Sequence, residues 1–230
     1  MSAPRSEPGP APARAVHISE STVRRLSHYY RVLEEVSAEG RRMISSHLLA
    51  EREGVTSAQV RKDLSYFGSF GRRGLGYNVA HLRDEIRDIL GLGRRWRVGV
   101  IGAGHIGSAL LAYRGFSEQG FEVVAVFDRD PDRVGKRIGA LQVQDVARLP
   151  AAVAAGAFEI GVVATPAAAA QDVADALVAA GVRGILNFAP RKLFVPRHVT
   201  VRHVDMTLEF ESLSFALTQP GAPRRRRARG

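Results

Sequence analysis

RVGVIGAGHIGSAL, residues 97–110, changes in fourteen residues from an apolar strand pattern to a glycine loop and then to a helix pattern. Gly102, Gly104 and Gly107 space out as G-x-G-x-x-G immediately after the strand. The first glycine permits a tight turn, the second lets a pyrophosphate reach the backbone, and the third lets helix and strand pack closely. His105 and Ile106 open the helix, whose free N–H groups and positive dipole end favour an anion. A bare glycine triplet is weak on its own. Here an acid follows 21 residues after Gly107: Asp128, at the end of the next apolar run, FEVVAVF. An acid there bonds ribose hydroxyls and repels a 2′-phosphate, so NAD(H) is expected over NADP(H). Arg129 next door argues the other way.

Outward from this loop the chain alternates. Strand patterns fall at 97–101, 121–127, 158–164, 184–188 and 199–204, and helical ones at 104–114, 145–154 and 167–180. Several strands are continuous apolar runs, as in a parallel sheet covered on both faces. Thr165-Pro166 and Asn187-Phe188-Ala189-Pro190 end two of them, at the edge where such sheets bind ligands. Thr165, Pro166 and Asn187 therefore join the candidate cofactor residues, although each could be turn chemistry, the better reading for Pro190. A helix over 206–218 closes the pattern, with Met206, Phe210, Leu213 and Leu217 on one face.

Towards the N-terminus the character changes. Residues 19–39 read as a long helix, 45–53 as a short one, and Thr56 with Gln59 as the capping box of a third. On that third helix Val60, Leu64 and Phe67 share one side, while Arg61, Lys62, Ser65 and Tyr66 fall mainly on the other. GSFGRRGLGY, 68–77, has four glycines in ten residues and suits a hairpin with Arg72 and Arg73 at a basic tip. Three helices and a hairpin in this order are a winged helix-turn-helix. Arg reads guanine edges, Lys and Tyr hold phosphates, and Gln59 and Ser65 add hydrogen-bonding groups. The bland alternative is a solvated basic helix beside a basic loop. Residues 80–91 read as a linking helix.

The charge distribution separates the two halves. The net charge is +10; residues 1–95 carry 16 Lys+Arg against 11 Asp+Glu, 96–220 carry 12 of each, and 221–230 carry five Arg. A basic first half beside a neutral second half points the first at a polyanion. There are no cysteines, and no apolar run reaches the ~18 residues of a membrane helix. That fits a cytoplasmic protein with no membrane partner. The division expected is a disordered leader (1–17), a winged-helix domain (18–92), a Rossmann domain (93–205), a terminal helix (206–218) and a disordered basic tail (219–230).

An NAD-dependent dehydrogenase with a basic N-terminal domain is the alternative. It needs a substrate domain and an acid or base. About 125 residues follow the glycine loop, nearly all used by the nucleotide fold, and no Tyr-x-x-x-Lys pair occurs. Of seven histidines, His17, His28, His47 and His81 lie outside that fold, His105 sits in the loop, and His198 and His203 flank the last strand. No catalytic residue and no metal ligand set is assigned.

Together YYRVLEE, QVRKDLSYFGSFGRRGLGY, GAGHIGSALLAYRGF, GILNFAP and VDM resemble the Rex family of NAD(H)-responsive, redox-sensing transcriptional repressors, over residues 18–218. The resemblance implies a homodimer with a swapped terminal helix. It implies operator binding when NADH is low, with NAD+ as the competing ligand, and release when NADH closes the dimer. It places Tyr113 near the nicotinamide, and it makes Arg31 and Asp205 a switch pair across the dimer. Met206 departs from the aromatic residue that some members carry.

Overall fold

The computed structural model describes residues 18–218, Arg73 excepted. The leader, the tail and Arg73 lie outside the described residues. The chain divides into two compact units between Gly93 and Arg94.

The first unit runs α1 (Glu20–Ala38), β1 (Met43–Ile44), α2 (Ser46–Glu53), α3 (Ser57–Ser65), β2 (Gly71–Arg72), β3 (Gly76–Asn78) and α4 (Val79–Ile89). All four helices begin at a side-chain cap: Ser19, Ser45, Thr56 and Asn78 each accept an N–H of the first turn. Such caps stabilise a helix by about 1 kcal/mol. α2 ends at Gly54, whose left-handed φ of 63° turns the chain into α3. β1, β3 and β2 form a small antiparallel sheet, with Tyr77 opposite Gly71. The Tyr77 ring fills the space where a Gly71 side chain would stand. One core joins these elements. Leu26, Tyr29, Leu33 and Val36 of α1 meet Leu49, Val60 and Leu64 of the helix-turn-helix and Leu82 and Ile86 of α4.

Two expectations are corrected here. The helix read as a linker is part of this core: α4 packs along α1, and Val79, Leu82 and Ile86 are buried. On α1, Val23 is exposed, while Tyr29 and Val32 are buried. The capping box is only half closed. Thr56 Oγ1 accepts from Gln59 N at 3.1 Å, while the Gln59 amide turns to Asp63.

The second unit contains β4 (Trp96–Ile101), α5 (His105–Ala112), α6 (Gly115–Glu118), β5 (Phe121–Asp128), β6 (Arg137–Ile138) and β7 (Leu141–Asp145). It continues with a 3₁₀ turn (Val146–Arg148), α7 (Leu149–Ala154), β8 (Ile160–Val163), α8 (Ala167–Ala179), β9 (Gly184–Asn187), β10 (Thr200–His203) and α9 (Met206–Thr218). The sheet order is β10-β9-β8-β4-β5-β7-β6, parallel except for β6. The order reverses at β4 and β8, the topological switch point of a doubly wound sheet. Each face of the sheet has its own core, one around Phe127, Phe158 and Leu177, the other around Val98, Val126 and Val162. The edge pair β6–β7 is an element the sequence pattern does not announce. α9 differs from every other helix of eight residues or more: none of its residues is buried.

Candidate dinucleotide cradle and nucleic-acid face

In the first unit, α3 buries Val60 and Leu64 and leaves Arg61, Lys62, Ser65 and Tyr66 exposed. The division expected from helical spacing therefore holds, with one exception. Asp63, in the middle of the basic string, is fully buried. Its carboxylate accepts two bonds from Arg25 (Nε to Oδ2 2.6 Å, Nη2 to Oδ1 2.7 Å), one from Tyr29 Oη (2.9 Å) and one from Gln59 Nε2 (2.8 Å). Burial alone would raise its pKa, but the Arg25, Gln59 and Tyr29 donors outweigh that and hold it below the usual carboxylate value. Burial, with the Asp63 carboxylate beside it, pushes the Tyr29 phenol up.

Gln59 thus holds Asp63 through its amide nitrogen. Arg61 donates to Ser46 Oγ at 3.0 Å, linking the start of α2 to the exposed face of α3. Ser65 Oγ donates to Lys62 O at 2.8 Å. An open groove of about 680 Å³ runs beside this face, lined by Ser46, Arg61 and Ser65 on one side and by Ser69, Phe70 and Gly74 of the hairpin segment on the other. Arg72 lies on β2.

In the second unit the glycine loop, Asp128, Thr165 and Pro166 lie together at the carboxyl ends of β4, β5 and β8. Gly102 N donates to Phe127 O and Ala164 N to Ile101 O, both at 2.8 Å, so the glycine loop is fastened to its neighbours on either side. Gly102 has φ 103°, and a Cβ on it would collide with the carbonyl of Ala164. A Cβ on Gly107 would collide with the Gly102 carbonyl, so only glycine lets α5 come this close to β4. Gly104 differs. The one atom outside the loop within 4 Å of its Cβ position is Arg133 Nη1, at 3.7 Å. The backbone there is open to an approaching group. No side chain caps the start of α5, where His105 and Ile106 are exposed, and none caps the start of α8 at Pro166.

Asp128 is buried at the end of β5. Its Oδ2 accepts from Ala103 N (2.7 Å) and Arg133 Nη1 (3.2 Å), and its Oδ1 accepts from Asp130 N (2.9 Å). Burial opposes its ionisation; the Asp130 and Ala103 N–H groups and the Arg133 guanidinium prevail and keep its pKa low. Thr165 Oγ1 is buried and has no hydrogen-bond partner among the described residues. A buried hydroxyl without a partner is costly. Together with the open backbone at Gly104 and the uncapped N–H groups of α5, it fits a bound dinucleotide.

Asn187 ends β9, and its side chain is bonded within the protein. It is fully buried; Nδ2 lies 3.1 Å from Ala189 O, 2.8 Å from Arg191 O and 3.0 Å from His203 Nδ1, and Oδ1 accepts from Ala189 N. Its amide shapes the loop after β9. Tyr113 follows α5 with its ring exposed, edge-on to Phe116 at 5.0 Å and lying over Gly115. Asp205 accepts from Thr207 N at 2.9 Å and caps the start of α9; Arg31 is exposed on α1. Asp63 with its donors Arg25 and Tyr29, and Asp130 and Arg133 beside Asp128, escape motif reading. For Arg133, the signal available is a basic residue five positions after Asp128, across the DPDR turn.

A winged helix followed by a dinucleotide-binding doubly wound sheet defines a ligand-responsive DNA-binding regulator. Two family models match the chain, one described as a putative DNA-binding protein N-terminus (residues 17–65) and one as a CoA binding domain (residues 94–191). The redox-sensing transcriptional repressor Rex of Carboxydothermus hydrogenoformans is 54% identical over 198 residues, 86% of this chain and 95% of that protein. RSP, a Rex-family repressor solved with β-NAD+ and operator DNA, is 38% identical with a TM-score of 0.84, covering 88% of this chain and 93% of RSP. RSP in complex with β-NADH is 36% identical with a TM-score of 0.79, covering 87% and 94%. The chain belongs to the Rex family of redox-sensing transcriptional repressors.

Proposed function

We propose that this protein is a repressor that reads the NADH/NAD+ balance: it holds double-stranded operator DNA when NADH is low and leaves it when NADH binds. The observation that carries this reading is one chain with an open dinucleotide cradle in one unit and an exposed Arg61/Lys62 helix face in the other. It is supported by relatives named as transcriptional repressors and by the RSP complexes with NAD+ and operator DNA and with NADH. Those names stand against the dehydrogenase alternative. No chemistry on the nicotinamide is required, only a difference in affinity between two states. NAD(H) when bound supplies the signal as the charge of its nicotinamide ring. The glycine loop, Asp128, Thr165 and Pro166 would hold the dinucleotide. Asn187 would shape its pocket and Tyr113 would stand near the ring. Gln59, Arg61, Lys62, Ser65, Tyr66, Arg72 and Arg73 would form the DNA face.

The working form is a homodimer in which a second copy covers α9. Leu208, Phe210, Leu213 and Phe215 on that helix are all more than half exposed. The protein works in the cytoplasm, where NADH and DNA meet; no described helix is long and apolar enough to cross a membrane. Arg31 and Asp205 form a charge pair between subunits in one state and part in the other. Moving such an equilibrium from 1:99 to 99:1 takes about 5.5 kcal/mol of differential binding.

The test is a titration of operator DNA, selected from a random-sequence library, with NADH and NAD+ added separately. NADH should release the DNA and NAD+ should not. Arg31→Ala and Asp205→Ala should each blunt the NADH response, and the double variant should be little worse than either. Steady catalytic consumption of NADH, or operator binding indifferent to both dinucleotides, would overturn the reading. Additive effects of the two substitutions would remove the pair from it.

A further inference from the structure

Asp128 is short of room for the ligand it is expected to bind. A carboxylate has about four lone-pair sites. Three are filled here, by the N–H groups of Asp130 and Ala103 and by Arg133 Nη1. A ribose diol brings two hydroxyl donors, so one of the three present donors has to yield. Two of them are backbone groups fixed by the turn after β5 and by the glycine loop. The third belongs to a side chain that is 47% exposed and reaches Asp128 at 3.2 Å, the longest of the three bonds. Arg133 is the donor free to leave.

Its destination is also set by position. The turn from Asp130 to Arg133 is closed by Arg133 N donating to Asp130 O at 2.9 Å, and Arg133 Nε lies 3.5 Å from Asp130 Oδ2. This holds the guanidinium over Gly104, 3.7 Å from where a side chain would begin. That is the space through which a pyrophosphate reaches the loop, and a guanidinium matches phosphate oxygens in pairs.

We propose that Arg133 is an exchange residue of the dinucleotide site: it releases Asp128 to the adenosine ribose and takes a pyrophosphate oxygen in its place. Asp128 thereby keeps a cationic partner until a diol replaces it, and the two phosphates gain a cation as they arrive. Selection then falls on ligands that carry diol and diphosphate together. This rests on the dinucleotide reading of the cradle.

The experiment measures binding of adenosine, ADP, NADH and NADPH to the full-length protein as wild type, Arg133→Ala and Arg133→Lys, at two salt concentrations. The alanine variant should lose about tenfold or more in affinity for ADP and NADH and become less salt-sensitive. Its affinity for adenosine should hold or rise, because Asp128 is unblocked. The lysine variant should recover part of the ADP affinity. Equal losses for adenosine and ADP would show a merely structural role and overturn the proposal, as would an alanine variant indistinguishable from wild type. A wild-type preference for NADPH, which would make Arg133 a 2′-phosphate ligand, overturns it too. Wild type that binds neither ADP nor NADH would instead sink the dinucleotide reading on which the proposal stands.

Discussion

A carboxylate without water is tolerated only where donors surround it, and removing its partners, or the carboxylate itself, leaves a buried charge uncompensated. Asp63 has four donors on two oxygens. Asp63→Ala should therefore cost about 3–5 kcal/mol in urea unfolding, because the Arg25 guanidinium and Tyr29 hydroxyl lose their acceptor. Asp63→Asn should fall between, since its NH₂ group meets other donors. The pH dependence has a definite direction. The folded pKa lies below the unfolded one, so the contribution of Asp63 is complete above the ordinary carboxylate range and is lost as pH falls through the depressed folded value. Asp63→Ala should flatten the acid limb of the stability curve; an unchanged acid limb would show that Asp63 does not carry it. From sequence alone this residue is hidden, because its neighbours Arg61 and Lys62 are exposed and a buried acid leaves no mark in hydrophobic periodicity. Arg133 is hidden for a related reason: glycine and aspartate have motif positions, but a side chain that arrives across a turn does not.

At the scale of elements, α5 and β4 meet through two glycines. Gly107→Ala would push a methyl group into the Gly102 carbonyl, so the helix must move away from the strand and the loop must open. NADH affinity should drop at least tenfold, about 1.4 kcal/mol, while DNA binding persists without an NADH response. A variant that binds NADH like wild type would show that the loop is not the cradle. β4, β5 and β8 are legible as apolar runs because both faces of a parallel sheet are covered. The β6–β7 pair is not. Its strands are two and five residues long, and LQVQD carries too few apolar positions to stand out from a loop. The α4 helix is legible as a helix but not as core. Its apolar positions show that it packs, and only the partner face on α1 shows where.

For the whole molecule, the sequence supplies two functional halves, and the structure adds a helix, α9, with no buried residue among those described. α9 has an apolar pattern and no buried residue, and its own pattern does not say what covers it; in the proposed dimer a second copy would. The same limit applies to Arg31 and Asp205, for which family resemblance, and not spacing, implies a pair. The Asp63 cluster has a consequence at this scale. It ties α3, which carries Arg61 and Lys62, to α1, which carries Arg31, through direct hydrogen bonds from Arg25 and Tyr29. A push on α1 then moves the reading helix as one piece and leaves its side chains in the same arrangement. Metabolism would set how often a gene is silenced and have no say in which genes are silenced. Across a panel of operator variants, the order of preference should be the same with NADH or NAD+ present, with only the overall occupancy changed; a reordering would mean that the reading surface itself is remodelled.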